Sequence, residues 1–426
     1  MNLVIDPRGG LHGTAKIPPN KSHSFRALIM AGLAEGVSRI LAPAVSNDWM
    51  LGTEALEMFG AAVEPHAEEV WEVRGTGGKL RTPTDVINCG NSGIILRFFT
   101  ALAACCDGHT VLTGDHSLRH IRSMGPLVDA INQLGAWAVC TKGDGHAPVV
   151  VRGHLRGGRA ELVGADSQFV SALLIAASLA DAPTELIVKN AGEKPWVGVT
   201  LDWLNRVGAE YSNENFEHYR VRGQARWKGF EYVVPRDWSG ALYPIIAALI
   251  TPDSEVHVPD MDMNDPQGDK RVIDVLREMG GNIELKNGCL IARTSRLVGR
   301  CIDCNDFIDQ LPALAVVGAA AEGETILTNA SICRTKECDR IAAMRECLAA
   351  MGADVEERED GLVVRKSSLR GARLNSFQDH RMVMSMTVAA LVADGRTIIE
   401  DCECVKKTFA KFPEQMMSLG VEIRKE

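Results

Sequence analysis

Nowhere does the chain hold an unbroken apolar run of 18 residues, so no stretch has the composition of a membrane-crossing helix. The opening MNLVIDPRGG lacks the basic start and apolar core of a secretory leader. No Ser/Gly-rich linker, charge block or low-complexity tract interrupts the chain. A net charge of −9 argues against general nucleic-acid binding while leaving room for a local basic site for a small anion. There are 12 cysteines, yet Cys301-x-x-Cys304 is the one C-x-x-C and no second pair stands at zinc spacing. They read as structural or incidental thiols and not as a metal site, and reduced thiols suit the cytoplasm.

What the chain does have is a repeat. A polar cluster, an Ala/Leu/Ile/Met run and a stop recur six times, at Asn20, Gly90, Ala165, Arg236, Asp306 and Gln378, about 70 residues apart. A short β-rich segment follows each: Val37–Leu41, Thr110–Thr113, Glu185–Val188, Glu255–Val258, Thr325–Thr328 and Thr397–Glu400. Further on, an amphipathic segment ends each time at a glycine: Gly60, Gly135, Gly208, Gly280, Gly352 and Gly420. The unit reads as a buried helix, a strand, an amphipathic helix with a glycine cap, then more strands.

A chain of 426 residues exceeds one ordinary core, so six units split three and three. That predicts an α/β protein with domains at 20–235 and at 1–19 plus 236–426. The sixth unit runs out of chain after Gly420. Residues 1–19, where Arg8-Gly9-Gly10 through Ile17 resembles Arg156-Gly157-Gly158 through Val163, are expected to complete it.

The helix starts carry more than caps. Lys21, Ser22, Ser24 and Arg26 open the first, Asn91, Ser92, Gly93 and Arg97 the second. Ser167 and Gln168 open the third, and Asp379, His380 and Arg381 the sixth. Free backbone N–H groups and the helix dipole favour anions there, and added Lys and Arg strengthen that. Asp237 and Ser239 read as plain caps, and Ser24 and Asp379 fit a cap equally well. If three units surround a pseudo-threefold axis, equivalent helix ends converge on one face. Two such faces meeting would make a cleft for one or two small anions. Basic clusters also stand at Ser117–Arg122 and Arg334–Arg340, with Lys407-Thr408-Phe409 near the end.

These blocks together resemble the 5-enolpyruvylshikimate-3-phosphate synthase family, in order and over nearly the whole chain. The family's K-S-x-S-x-R stands at Lys21–Arg26, its G-N-A-G-T-x-x-R, altered, at Gly90–Arg97, and its R-P-M/I at Arg122-Ser123-Met124. S-S-Q stands as Asp166-Ser167-Gln168, followed by Asp309, Lys336-Glu337-x-x-Arg340, Asp379-His380-Arg381 and Lys407-Thr408-Phe409.

The resemblance implies an inside-out α/β barrel in each of two domains, built from βαβαββ units. It implies enolpyruvyl transfer from phosphoenolpyruvate to the 5-hydroxyl of shikimate 3-phosphate by a monomer without cofactor, nucleic-acid or membrane partner. Lys21, Gly93, Arg122, Gln168, Arg340, Arg381 and Lys407 would surround phosphoenolpyruvate. Lys21, Ser22, Arg26, Ser167, Gln168, Asp309 and Lys336 would contact shikimate 3-phosphate. Asp309, Glu337 and Lys21 would move protons.

The chain departs from the family at Asp166, Glu193 and Ile332, where Ser, Ser and Asn are usual. The two carboxylates are expected to turn away and hold cations that meet the acceptor's phosphate, with Lys336, Arg26 and Lys194 available. Ile94 and Phe98 replace Thr and Pro, which is expected to weaken the family's inhibitor glyphosate. UDP-N-acetylglucosamine enolpyruvyltransferases expect K-N at Lys21-Ser22. Another cyclohexene acceptor and a non-catalytic scaffold complete the alternatives.

Overall fold

Helical runs that are apolar around most of their circumference bury on all sides. Six such runs are the helices on which this fold is built. In chain order they are α1 (Lys21–Leu33), α2 (Gly93–Ala103), α3 (Ser167–Leu179), α4 (Trp238–Ile250), α5 (Leu311–Ala320) and α6 (His380–Ala390). Every residue of α2 and α6 is buried. The computed structural model describes residues 1–7, 9–67 and 69–426. Arg8, which opens the N-terminal segment likened to Arg156–Val163, lies outside them.

Caps start these helices where the sequence offers a short acceptor. Asn20 Oδ1 accepts from His23 N at 2.8 Å, Asp237 Oδ2 from Gly240 N at 3.0 Å, and Asp379 Oδ1 from Arg381 N at 2.8 Å. Each bond satisfies an amide that the first turn leaves without a partner. Ser24 also serves structure: its hydroxyl donates to Asn20 O and accepts from Ala44 N. The amphipathic helices end as expected. Gly60 and Gly420, at φ +109° and +104°, turn the chain through a region that residues with a Cβ avoid.

Among the described residues the strands form six four-stranded sheets of one pattern. In one of them Ile87–Asn88 runs parallel to His109–Thr113, with α2 as the crossover between them. Val149–Arg152 then pairs antiparallel to His109–Thr113, and Trp137–Cys140 forms the edge. This is the βαβαββ unit.

The chain divides into two compact units, Pro19–Val234 and Met1–Pro18 with Pro235–Glu426. Each has three sheets, three buried helices and its own hydrophobic core. At each crossing the strand just before it pairs within the unit that the chain is leaving. His12–Thr14 precedes α1 in sequence but pairs with Glu255–Val258, after α4. Glu231–Val233 precedes α4 but pairs with Val37–Leu41, after α1. Leu3–Asp6 sits between Thr397–Glu400 and Glu422–Lys425, antiparallel to both. The N-terminal segment therefore does two jobs. Leu3–Asp6 completes the sixth repeat, as expected, but His12–Thr14 completes the fourth, because strand pairing follows the sheet and not the order of the repeat. No helix of the described residues is long and apolar enough to cross a membrane.

Candidate active site

In the unit Pro19–Val234 the starts of α2 and α3 bring four groups together. A Cβ on Gly93 would lie 2.8 Å from Arg122 Nη1, 3.2 Å from Arg97 Nη1 and 3.3 Å from Gln168 Oε1. Glycine is what lets those three side chains close over the first turn of α2. Arg97 is buried and well held. Its Nη1 lies 2.9 Å from Gln168 Oε1 and 2.8 Å from Asp166 Oδ2, and its guanidinium is 4.8 Å from the Phe169 ring centre.

Asp166 caps α3 through Gln168 N while holding Arg97. Arg97, a cation outside the three anticipated, is thus one that it holds. Glu193 also differs from expectation. Its Oε2 accepts from both Ser167 N, at 2.9 Å, and Ser167 Oγ, at 3.0 Å. A carboxylate of this chain therefore sits on the α3 start, using the two donors expected to serve an acceptor phosphate. Glu193 reaches there from a left-handed backbone, φ +47° and ψ +39°.

Arg26 is turned inward. It donates from Nε to Thr200 Oγ1, from Nη1 to Ser22 O, and from Nη2 to Trp196 O and Ser171 Oγ. It rivets α1 to α3 and to the helix Lys194–Arg206, with the Phe98 ring centre 5.3 Å away. All four acceptors are neutral oxygens, and burial lowers the guanidinium to about 9, which leaves it charged at neutral pH. Lys21, at the start of α1, lies 3.5 Å from the buried Asp48.

In the other unit a tighter ionic cluster forms. Arg340 directs each of its nitrogens at a carboxylate: Nη1 to Asp309 at 2.6 Å, Nη2 to Glu337 at 2.9 Å and Nε to Asp379 at 2.7 Å. Lys407 Nζ meets the other oxygen of Glu337 at 2.7 Å. Asp309 also lies 3.3 Å from Arg381 Nη2. Burial alone would raise the Asp309 carboxyl. Arg381 and Arg340, with Lys336, outweigh that and hold it well below the usual carboxylate range. The group keeps 27% of its side chain open to solvent, so it is charged and reachable.

Arg381 differs from Arg340. Its Nε and Nη1 are buried and meet no acceptor in hydrogen-bonding geometry among the described residues. The Tyr243 hydroxyl is close enough to be felt electrostatically but lacks that geometry. Unmatched guanidinium donors inside a protein are costly unless a further anion takes them. Burial, then Arg381, keep His380 neutral, so its 3.6 Å approach to Asp379 is not an ion pair.

The structure thus gathers Gly93, Arg122 and Gln168 in one unit. In the other it gathers Asp309, Glu337, Arg340, Arg381 and Lys407, with Lys336 within electrostatic reach of Asp309. Sequence reasoning passed over Asp48, Tyr243, Asp269 and Gln310, and it read Ser239 as a plain cap, whereas Asp237 alone is the cap and the Ser239 hydroxyl donates to the buried Asp269. Gln267-Gly268-Asp269, a polar tripeptide before the amphipathic run Val272–Glu278, was the signal for Asp269.

The sequence signature of EPSP synthase (3-phosphoshikimate 1-carboxyvinyltransferase) matches residues 5–416. The 3-phosphoshikimate 1-carboxyvinyltransferase of Acetivibrio thermocellus is 43% identical over 411 residues, covering 96% of each chain. That of Methanocaldococcus jannaschii is 39% identical over 428 residues, covering 99% of each. Among solved structures, an EPSP synthase from Acinetobacter baumannii superposes with a TM-score of 0.81 at 27% identity, covering all of both chains.

Proposed function

The chain belongs to the EPSP synthase family, and from that membership we propose how its own side chains carry out the family's reaction. The reaction moves the enolpyruvyl group of phosphoenolpyruvate to the 5-hydroxyl of shikimate 3-phosphate and releases phosphate, a step of aromatic amino-acid biosynthesis. It runs by addition and then elimination. The acceptor oxygen bonds to C2 of phosphoenolpyruvate while C3 gains a proton. The phosphate oxygen then leaves C2 as C3 loses one.

Phosphoenolpyruvate presents a carboxylate and a phosphate, both suited to guanidinium forks. Arg381, with two donors unspent, is the first anchor, and this is the observation that carries the reading. Arg340 and Lys407 of the same unit serve phosphoenolpyruvate with it, and from the unit Pro19–Val234 the residues assigned to this substrate are Arg122, Lys21, Gln168 and the backbone at Gly93. Asp309 accepts the acceptor hydroxyl's proton. Its two arginines suppress its basicity, and an anion that shares their charge raises it, so the base sharpens when substrate arrives. Glu337, gripped by Arg340 and Lys407, and Lys21 exchange the proton at C3. Ser22, Ser167, Gln168 and Lys336 bind the acceptor, with Arg26 setting the backbone beneath Ser22.

The protein works as a cytoplasmic monomer on small soluble substrates. Phosphate release from phosphoenolpyruvate with shikimate 3-phosphate, shikimate or UDP-N-acetylglucosamine as acceptor tests the reading. Only the first should support turnover, and efficient use of either of the others would overturn it.

A further inference from the structure

Asp269 lies on the turn Gly268–Arg271 and is fully buried. Its Oδ2 accepts from the Ser239 hydroxyl at the start of α4 and from Gln310 Nε2 at 3.3 Å. Gln310 follows Asp309 on the kinked turn Asn305–Gln310, so Asp269 grips the chain beside the candidate base. The other oxygens of this pair, Asp269 Oδ1 and Gln310 Oε1, are both buried, and neither meets a donor among the described residues. Two adjacent side chains thus each present a buried acceptor with nothing to accept. A proton on Asp269 turns one acceptor into a donor and removes a buried charge.

We propose that Asp269 carries a proton when the site is ready to receive its anion, and that this buried acid is a positioning residue for Asp309 and Arg381. The proposal rests on the reading that Arg381 binds the anionic substrate.

The surrounding charges argue the same way. Four cations, Arg340, Arg381, Lys407 and Lys336, serve this cluster. Asp309, Glu337, Asp379 and Asp237 already match them in number. An ionised Asp269 would be a fifth carboxylate and would leave a net negative charge where an anion must enter. A neutral Asp269 keeps the balance and leaves Arg381's unmatched donors for the ligand.

The groups that face Asp269 can be named by element. Asp237 and Ser239 come from the start of α4, Asp309 and Gln310 from the kinked turn, and Arg381 from α6. On its own turn Lys270 is committed to backbone oxygens and Arg271 to the exposed side of Asp306. Burial pushes the Asp269 carboxyl up to about 7; Asp309 and Asp237 add to this, while Arg381 and the Ser239 hydroxyl oppose it. The acid is therefore neutral below neutrality and ionises above it.

The test is the pH dependence of the Michaelis constant for phosphoenolpyruvate, from pH 6 to 9, in the intact enzyme and in Asp269→Asn. Between those pH values the constant should rise more in the wild type than in the variant. The excess should be roughly five- to thirtyfold, the effect of one charge about 8 Å away at an effective dielectric of 20–40. Identical pH dependence in the two proteins would overturn the proposal. A second measurement needs no activity and no Asn variant. Difference infrared spectra of the wild type between pH 6 and 9 should lose a protonated-carboxyl band, and Ser239→Ala should move that transition to higher pH. Absence of a titrating band would overturn the proposal even if the enzyme were active. A titrating band in a protein that does not use phosphoenolpyruvate would sustain the buried acid and overturn the substrate reading instead.

Discussion

Glu193→Gln decides how the acceptor is held. In the structure Glu193 Oε2 takes both the amide and the hydroxyl of Ser167, at 2.9 and 3.0 Å. A phosphate that came to Ser167 would have to displace this carboxylate or lie beside it. Each hydrogen bond to a charged group is worth about 1.5–3 kcal/mol, and like charges about 4 Å apart repel by roughly 4 kcal/mol at an effective dielectric of 20. Glutamine keeps the shape and removes the charge. The gain in acceptor affinity should therefore be on the order of 1.5–3 kcal/mol, or ten- to more than a hundredfold. Calorimetric titration with shikimate 3-phosphate reads it directly, and the Michaelis constant for phosphoenolpyruvate serves as the control. The sign is diagnostic. A carboxylate whose task is to anchor a phosphate-binding cation, as the sequence alone suggested, predicts weaker binding in the variant. Weaker or unchanged binding would refute the idea that Glu193 competes with the acceptor's phosphate for Ser167.

Three further outcomes follow from the same geometry. Arg381→Ala should raise the Michaelis constant for phosphoenolpyruvate about ten- to a hundredfold through loss of charge-assisted contacts, and that for the acceptor much less; equal losses would show that Arg381 does not belong to the phosphoenolpyruvate subsite. Asp166→Ala strips the buried Arg97 of a partner 2.8 Å away, and should lower the unfolding free energy by about 3–5 kcal/mol in a denaturant titration, with a loss below 1 kcal/mol arguing that the pair is not structural. Asp309, held below its ordinary range, contributes stability that is present above the unfolded carboxylate's range near pH 4 and is lost as pH falls through the lower folded value, so urea midpoints measured from pH 6 down to pH 2 should fall less steeply in Asp309→Asn than in the wild type.

Local pattern was enough to find the six buried helices, because composition and helical period report burial directly. The same holds for the glycine caps, which answer to backbone conformation, and for the cations at the helix starts. What local pattern cannot report is the partner of a charge. Asp166 holds Arg97 from 69 positions away, and nothing near Asp166 in the chain points to Arg97 over Arg26 or Lys194. Glu193 reaches Ser167 through a left-handed backbone that glutamate seldom adopts, so its neighbours in sequence mislead about its direction. The segment His12–Thr14 looks like part of the repeat that its companion Leu3–Asp6 completes. Its partner is set by the topology of a sheet whose other strands lie 240 residues and more downstream.

That topology has a consequence in time. Pro19–Val234 is one continuous stretch and can fold as soon as it leaves the ribosome. The other unit cannot. Leu3–Asp6 is made nearly 400 residues before its two neighbours, Thr397–Glu400 and Glu422–Lys425. At synthesis rates of 5–20 residues per second, the apolar Leu3, Val4 and Ile5 wait about 20–80 s for the strands that cover them. During that interval they form an unpaired edge on a growing chain. Only two residues of the eighteen before Pro19, Lys16 and Arg8, carry a positive charge that could discourage wrong pairing. A pulse-labelled translation would show Pro19–Val234 gaining protease resistance well before Glu422–Lys425 emerges. Residues 1–18 would remain cleavable until Glu422–Lys425 has emerged.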